Sequence, residues 1–108
     1  MSSFERYAYR KAMAHIRNRS YHQAMQWFRV AVRDGTDEVF LSAGLCAFLT
    51  GDAEAVDWLE RSKTPRAAYF LSLAHYRNAN FEQAKKVLEE SEMTESVLYK
   101  MIERSVQD

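Results

Sequence analysis

Residues 71–90, LSLAHYRNANFEQAKKVLEE, carry an order of residue sizes that two earlier stretches of the chain repeat. Phe81, Ala84, Leu88 and Ser91 follow at intervals of three, four and three, and Tyr21, Ala24, Phe28 and Ala31 follow at the same intervals. The middle copy keeps Ala55, Leu59 and Ser62 but has Asp52 where an aromatic ring would stand. Such intervals place side chains on one face of an α-helix. Each copy is preceded by a second apolar segment, so the repeating unit is a pair of helices. One pair cannot bury its own apolar face, so the pairs must stack into an all-α array, and stacking leaves a continuous surface for other molecules.

Breaks in the pattern divide the chain. The first helix is expected over about 3–18, capped by Ser2 or Ser3 and broken at Asn18-Arg19-Ser20, and the second over 21–33. Asp34-Gly35 should end the second helix, with glycine in the left-handed conformation. Asp37 is the expected cap of a helix reaching Leu49 or Thr50, Gly51-Asp52 the next turn, and 53–62 the fourth helix. Pro65, the only proline, suits the first position of a fifth helix to about Asn78. The sixth runs over 81–90. Thr94 should cap a last helix over 94–107, whose stripe Val97, Leu98, Met101, Ile102 and Val106 would close the stack. The expected pairs are 3–34, 37–63 and 65–91. No segment alternates with period two for long enough to suggest a strand.

Superposing the pairs aligns small residues: Ala12, Gly44 and Ser72 in the first helices, Ala24, Ala55 and Ala84 in the second. Small side chains there allow close approach of two helix axes. The separations within pairs are 12, 11 and 12 residues, so the middle pair is one residue short at its turn.

These features resemble the tetratricopeptide repeat, a helix-turn-helix unit of about 34 residues. Leu71, Ser72, Ala74, His75, Tyr76, Asn80, Phe81, Ala84 and Leu88 match its small, aromatic and alanine positions; Ala12, Tyr21, Ala24, Phe28 and Ala31 match in the first copy, and Gly44, Gly51-Asp52 and Ala55 in the second. The resemblance implies a right-handed superhelical array of three hairpins with a C-terminal capping helix. It also implies that the first helix of each hairpin lines a concave groove. Those lining positions are Tyr9, Met13 and Ile16, then Leu41, Leu45 and Phe48, then Tyr69, Leu73 and Tyr76, with Arg6 and Arg66 at one rim and Arg17 and Arg77 at the other.

Repeats that grip acidic C-terminal peptides of heat-shock chaperones would offer lysine and asparagine at those positions, and this chain offers neither. An apolar stripe with arginine rims suits a partner's amphipathic helix with acidic flanks, laid into the groove. Small size, three short repeats and an apolar groove are similar to the small tetratricopeptide-type chaperones of type III secretion, which hold a needle-subunit helix before export. A general adaptor or assembly factor fits the same residues. So does a core covered by the terminal helix or by self-association into a homo- or hetero-oligomer.

Charge and composition narrow the function further. The 108 residues are 47% apolar, enough for one domain with a modest core. Formal charge is zero, yet residues 1–33 hold seven basic side chains (Arg6, Arg10, Lys11, Arg17, Arg19, Arg29, Arg33) against Glu5, and residues 34–62 hold seven acids against Arg61. That asymmetry fits end-to-end complementarity, an acidic partner, or a solvated basic face. Arg6, Tyr9, Arg10, Arg17 and Tyr76 could also interleave charge with stacking rings against RNA, although neutral total charge and only three repeats weigh against that reading. Cys46 is the single cysteine and is expected buried and reduced. His15 and His75 occupy equivalent places and are expected packed, His22 exposed at a turn. The spacing of these residues offers no metal site, three glycines make no phosphate loop, and no nucleophile has a placed base, so neither an enzyme nor a cofactor is expected. The N-terminus lacks the apolar stretch of a secretory signal, and no run approaches a membrane span, which makes a cytoplasmic protein the expectation.

Overall fold

Hydroxyl side chains cap four of the helix starts. The computed structural model describes residues 2–107 and, among them, holds seven α-helices and no strand: α1 (Ser3–Arg17), α2 (Tyr21–Ala31), α3 (Asp37–Thr50), α4 (Glu54–Arg61), α5 (Pro65–Arg77), α6 (Phe81–Glu90) and α7 (Val97–Gln107). Ser2 Oγ accepts from Glu5 N–H at 3.4 Å, and Thr64 Oγ1 accepts from Ala67 N–H at 3.2 Å with Pro65 in the first helical position. Each such cap satisfies one of the amides that a helix start leaves unpaired and contributes about 1 kcal/mol.

Two expected caps are displaced. Thr36, rather than Asp37, caps α3, its Oγ1 accepting from Val39 N–H at 3.4 Å. Asp37 is engaged elsewhere: its Oδ1 accepts from Lys63 N–H at 3.0 Å and its carbonyl from Ser62 Oγ at 2.9 Å, which ties the start of α3 to the end of α4. Ser96, rather than Thr94, caps α7, accepting from Tyr99 N–H at 3.2 Å while donating to Met93 O at 2.8 Å.

Four helix ends share one closing pattern, in which the chain turns through a left-handed residue and an amide reaches back five positions to a carbonyl. Ser20 N–H meets His15 O at 2.8 Å, Asp52 meets Ala47 at 2.9 Å, Asn80 meets His75 at 2.8 Å and Met93 meets Leu88 at 2.8 Å. The left-handed residues are Arg19 (φ 58°), Gly51 (φ 76°), Ala79 (φ 61°) and Glu92 (φ 58°). The end of α2 departs from expectation. It tightens into a 3₁₀ turn over Val32–Asp34, and Gly35 is extended at φ −85°. A Cβ there would lie 2.9 Å from Cε2 of the Phe40 ring, which would have to shift to admit it.

Packing follows chain order. α1 lies on α2, α3 on α4 and α5 on α6; α2 then meets α3, α4 meets α5, α6 meets α7, and α3 touches α5, in a body of 48 × 22 × 19 Å. All six aligned small residues, Ala12, Ala24, Gly44, Ala55, Ser72 and Ala84, are buried. At Gly44 a Cβ would sit 2.7 Å from Leu59 Cγ, and Ser72 Oγ donates to Ala84 O at 2.8 Å across the α5–α6 contact. Overpacking such a position costs about 1–3 kcal/mol. Along α7, Leu98 and Ile102 are buried against Ala84 and Leu88 with Val106 partly covered, whereas Val97 and Met101 are 74% and 43% exposed. The expected five-residue stripe therefore splits. A helix buries roughly one face, and Val97 and Met101 lie about 100° away from Leu98 and Ile102.

Candidate functional site

The nine positions proposed as groove lining sit on α1, α3 and α5 at one register, and all nine are half-buried. They do not form one uniform surface. Met13, Ile16 and Leu45 line an apolar hollow of about 230 Å³ between α1 and α3, together with Tyr21, Ser42, Cys46 and Leu49. Tyr9 marks one boundary, its ring tilted against Phe28 at 6.3 Å and its hydroxyl 3.2 Å from Ser42 Oγ. Leu41 packs instead toward the cluster of Leu59, Ala67 and Leu71. Phe48 meets Phe70 edge-on at 6.1 Å, and Phe70 meets Tyr69 at 5.6 Å, so aromatic rings fill the space between α3 and α5. Tyr69, Leu73 and Tyr76 pack against the cluster that Leu98 and Ile102 of α7 help to build.

The four rim arginines are exposed but not equivalent. Arg77 is anchored: its guanidinium lies 4.2 Å from the Phe48 ring centre, and Nη1 donates to Phe48 O at 2.7 Å near the C-terminal end of α3. A cation there complements the helix dipole as well as the ring. Arg6 and Arg17 share a stripe of α1 with Arg10, at spacings of four and seven that align on a helix. Arg10 and Arg17 flank Met13 three residues before and four after, so the stripe runs beside the hollow. The basic and acidic segments meet in part inside the chain, where Arg29 of α2 lies 3.2 Å from Glu54 and 3.6 Å from Asp52.

Sequence reasoning missed Leu49 and Phe70. Leu49 is 64% exposed at the lip of the hollow, and its signal was its place four residues after Leu45. Phe70 fills the second cleft, two residues before Ser72, where the preceding pair has Ser42 two residues before Gly44.

The titratable groups act as core and framing. Burial, with a smaller push from Asp52 against a pull from Arg29, raises the Cys46 thiol to about 11, and its Sγ donates to Tyr21 O at 3.4 Å. Such a thiol is a poor nucleophile. His75 is buried, its Nδ1 meets no hydrogen-bond partner among the described residues, and desolvation lowers its pKa against the opposing pull of Glu60. His15 is half-buried and His22 exposed. Tyr99 donates to Glu89 Oε2 at 2.8 Å, a bond that holds its phenol neutral up to about 12. Among the described residues no three His, Cys, Asp or Glu side chains gather as metal ligands, and no helix is long and apolar enough to cross a membrane. Compared with protein-family models and with curated proteins, the chain matches none, so its own residues carry the functional reading.

Proposed function

We propose that this chain is a tetratricopeptide-type module, a right-handed superhelix of three helix pairs capped by α7, that holds an amphipathic helix of a protein partner. One observation carries the reading. Three successive first helices, α1, α3 and α5, present half-buried apolar triplets in the same register, and between α1 and α3 these leave an open apolar hollow. The equivalent small contacts at Ala12, Gly44 and Ser72 and the matching helix ends after α1 and α5 support the repeat assignment. An apolar surface of this kind, left open, invites association, and covering it with a partner's apolar stripe contributes about 25 cal/mol per Å². Small size and an apolar rather than cationic lining suit a cytoplasmic chaperone for an aggregation-prone helix, such as a secretion needle subunit before export.

The test begins with affinity purification from the native host and identification of a helical protein that co-purifies. Leu45→Asp should abolish that association and Leu73→Asp should weaken it, with far-UV circular dichroism unchanged. Full retention of the partner by both folded variants would sink the groove assignment. Recovery of RNA, with affinity falling steeply against log[salt], would replace it with a phosphate-contact reading.

A further inference from the structure

We infer that recognition is concentrated at a single anchor site, the hollow between α1 and α3, which takes one bulky apolar side chain from a helix carrying acidic residues on both sides of that anchor. This rests on the groove reading and narrows it to one cleft and one ligand chemistry.

The size of the hollow sets the first condition. An apolar cavity of roughly 150 Å³ accepts a benzene ring. The 230 Å³ space walled by Met13, Ile16, Tyr21, Leu45 and Leu49 therefore has room for a phenylalanine or leucine side chain. Its lip carries Leu49, 64% exposed, which gains the most cover from an incoming helix. In the second cleft Phe70 stands edge-on to Phe48 and Arg77 stacks over the same ring.

Charge selects the flanks. Arg6, Arg10 and Arg17 run along α1 beside Met13, all exposed, while the acids of α3, Asp37 and Glu38, both lie in its first turn. The rim is thus cationic along one edge. Carboxylates three or four residues either side of the anchor, on the helix edge that faces α1, would meet Arg10 and Arg17, whose own positions flank Met13 by the same intervals.

The probes are synthetic helices identical except at two features: phenylalanine or alanine at the anchor, and glutamate or lysine at the flanks. The glutamate-flanked phenylalanine helix should bind the wild-type protein. Its alanine counterpart should bind at least tenfold more weakly, and the lysine-flanked helix more weakly still at low salt. Leu49→Asp, an exposed position where folding is not at stake, should weaken binding at least tenfold, Arg17→Glu several-fold, and Leu73→Asn less than twofold. Equal losses from Leu49→Asp and Leu73→Asn would overturn the single anchor while leaving the broader groove standing. Equal binding of both flank types would overturn the acidic ligand. If no helix binds and light scattering shows a dimer that Leu49→Asp dissociates, the occupant is a second copy and the inference fails. If no helix binds to a monomer, the inference and the groove reading fail together.

Discussion

Two clefts separate the first helices of the three pairs, and at equivalent positions they are filled by opposite means. Between α1 and α3, position 42 is serine and position 49 leucine; between α3 and α5, the corresponding positions are Phe70 and Arg77. Serine is too short to reach across, so the first cleft keeps a hollow of about 230 Å³ spanned at one edge by the Tyr9 and Ser42 hydroxyls at 3.2 Å. Phe70 bridges Phe48 and Tyr69, and Arg77 closes over Phe48 and bonds its carbonyl. α3 and α5 also approach each other more closely than α1 and α3 do, so the first cleft is the wider and the more open. Helix spacing and the side chains at these two positions act together.

Removing the seal should have the largest effect. Phe70→Ala leaves Phe48 and Tyr69 without their common neighbour, and for a half-buried phenylalanine we expect about 2 kcal/mol of lost stability. In a chain of this size that lowers Tm by roughly 10 °C in a thermal melt. A loss below about 0.5 kcal/mol would mean that the second cleft is held by Arg77 and the α4–α5 contact instead.

Filling the hollow is the reciprocal experiment. Ser42→Phe copies the Phe70 arrangement into the first cleft, and the apolar surface it covers should raise stability by about 1 kcal/mol after the lost Tyr9 hydrogen bond. Denaturant titration should show the midpoint move up with little change in slope. The same variant should lose binding of the glutamate-flanked helix. A destabilised Ser42→Phe protein that still binds would break the comparison, because the cleft would then not be the space that matters.

The smallest effect separates the two regions by pH. His75 is buried in the second half of the chain with its pKa pushed down by desolvation, so the unfolded chain takes a proton more readily than the folded one. Stability from this group is complete above the ordinary histidine value and falls as pH drops from there through the lowered one. Melting at pH 7.5 and pH 5.5 should show a drop that His75→Leu reduces. An unchanged drop in that variant would assign the acid sensitivity to carboxylates elsewhere.

Much of this was legible in the order of residues. The intervals linking Tyr21 to Ala31 and Phe81 to Ser91 identified helices and their buried faces. Gly51-Asp52 and Pro65 marked breaks, because a left-handed turn and a missing amide are local properties. What escaped was decided by contacts across the chain. Asp37 reads as a cap until Lys63 and Ser62 claim it, leaving Thr36 to close α3. Gly35 reads as a left-handed turn, yet its backbone is extended and the Phe40 ring packs close beside it. Val97 and Met101 read as one stripe with Leu98 and Ile102, and only the placement of α6 shows which half is covered. Among the nine candidate residues the register was legible and the hollow was not, since all nine are half-buried while Met13, Ile16 and Leu45 are the ones that line it.

By itself, then, the sequence determined the all-helical character, the pairing of helices and the small residues at their contacts, because periodicity, chain breaks and side-chain volume act over a few residues. The tertiary structure alone decided which cleft is open, which arginines are anchored and which apolar faces meet solvent. Those depend on distances between helices far apart in the chain, which no pattern spanning a few residues encodes.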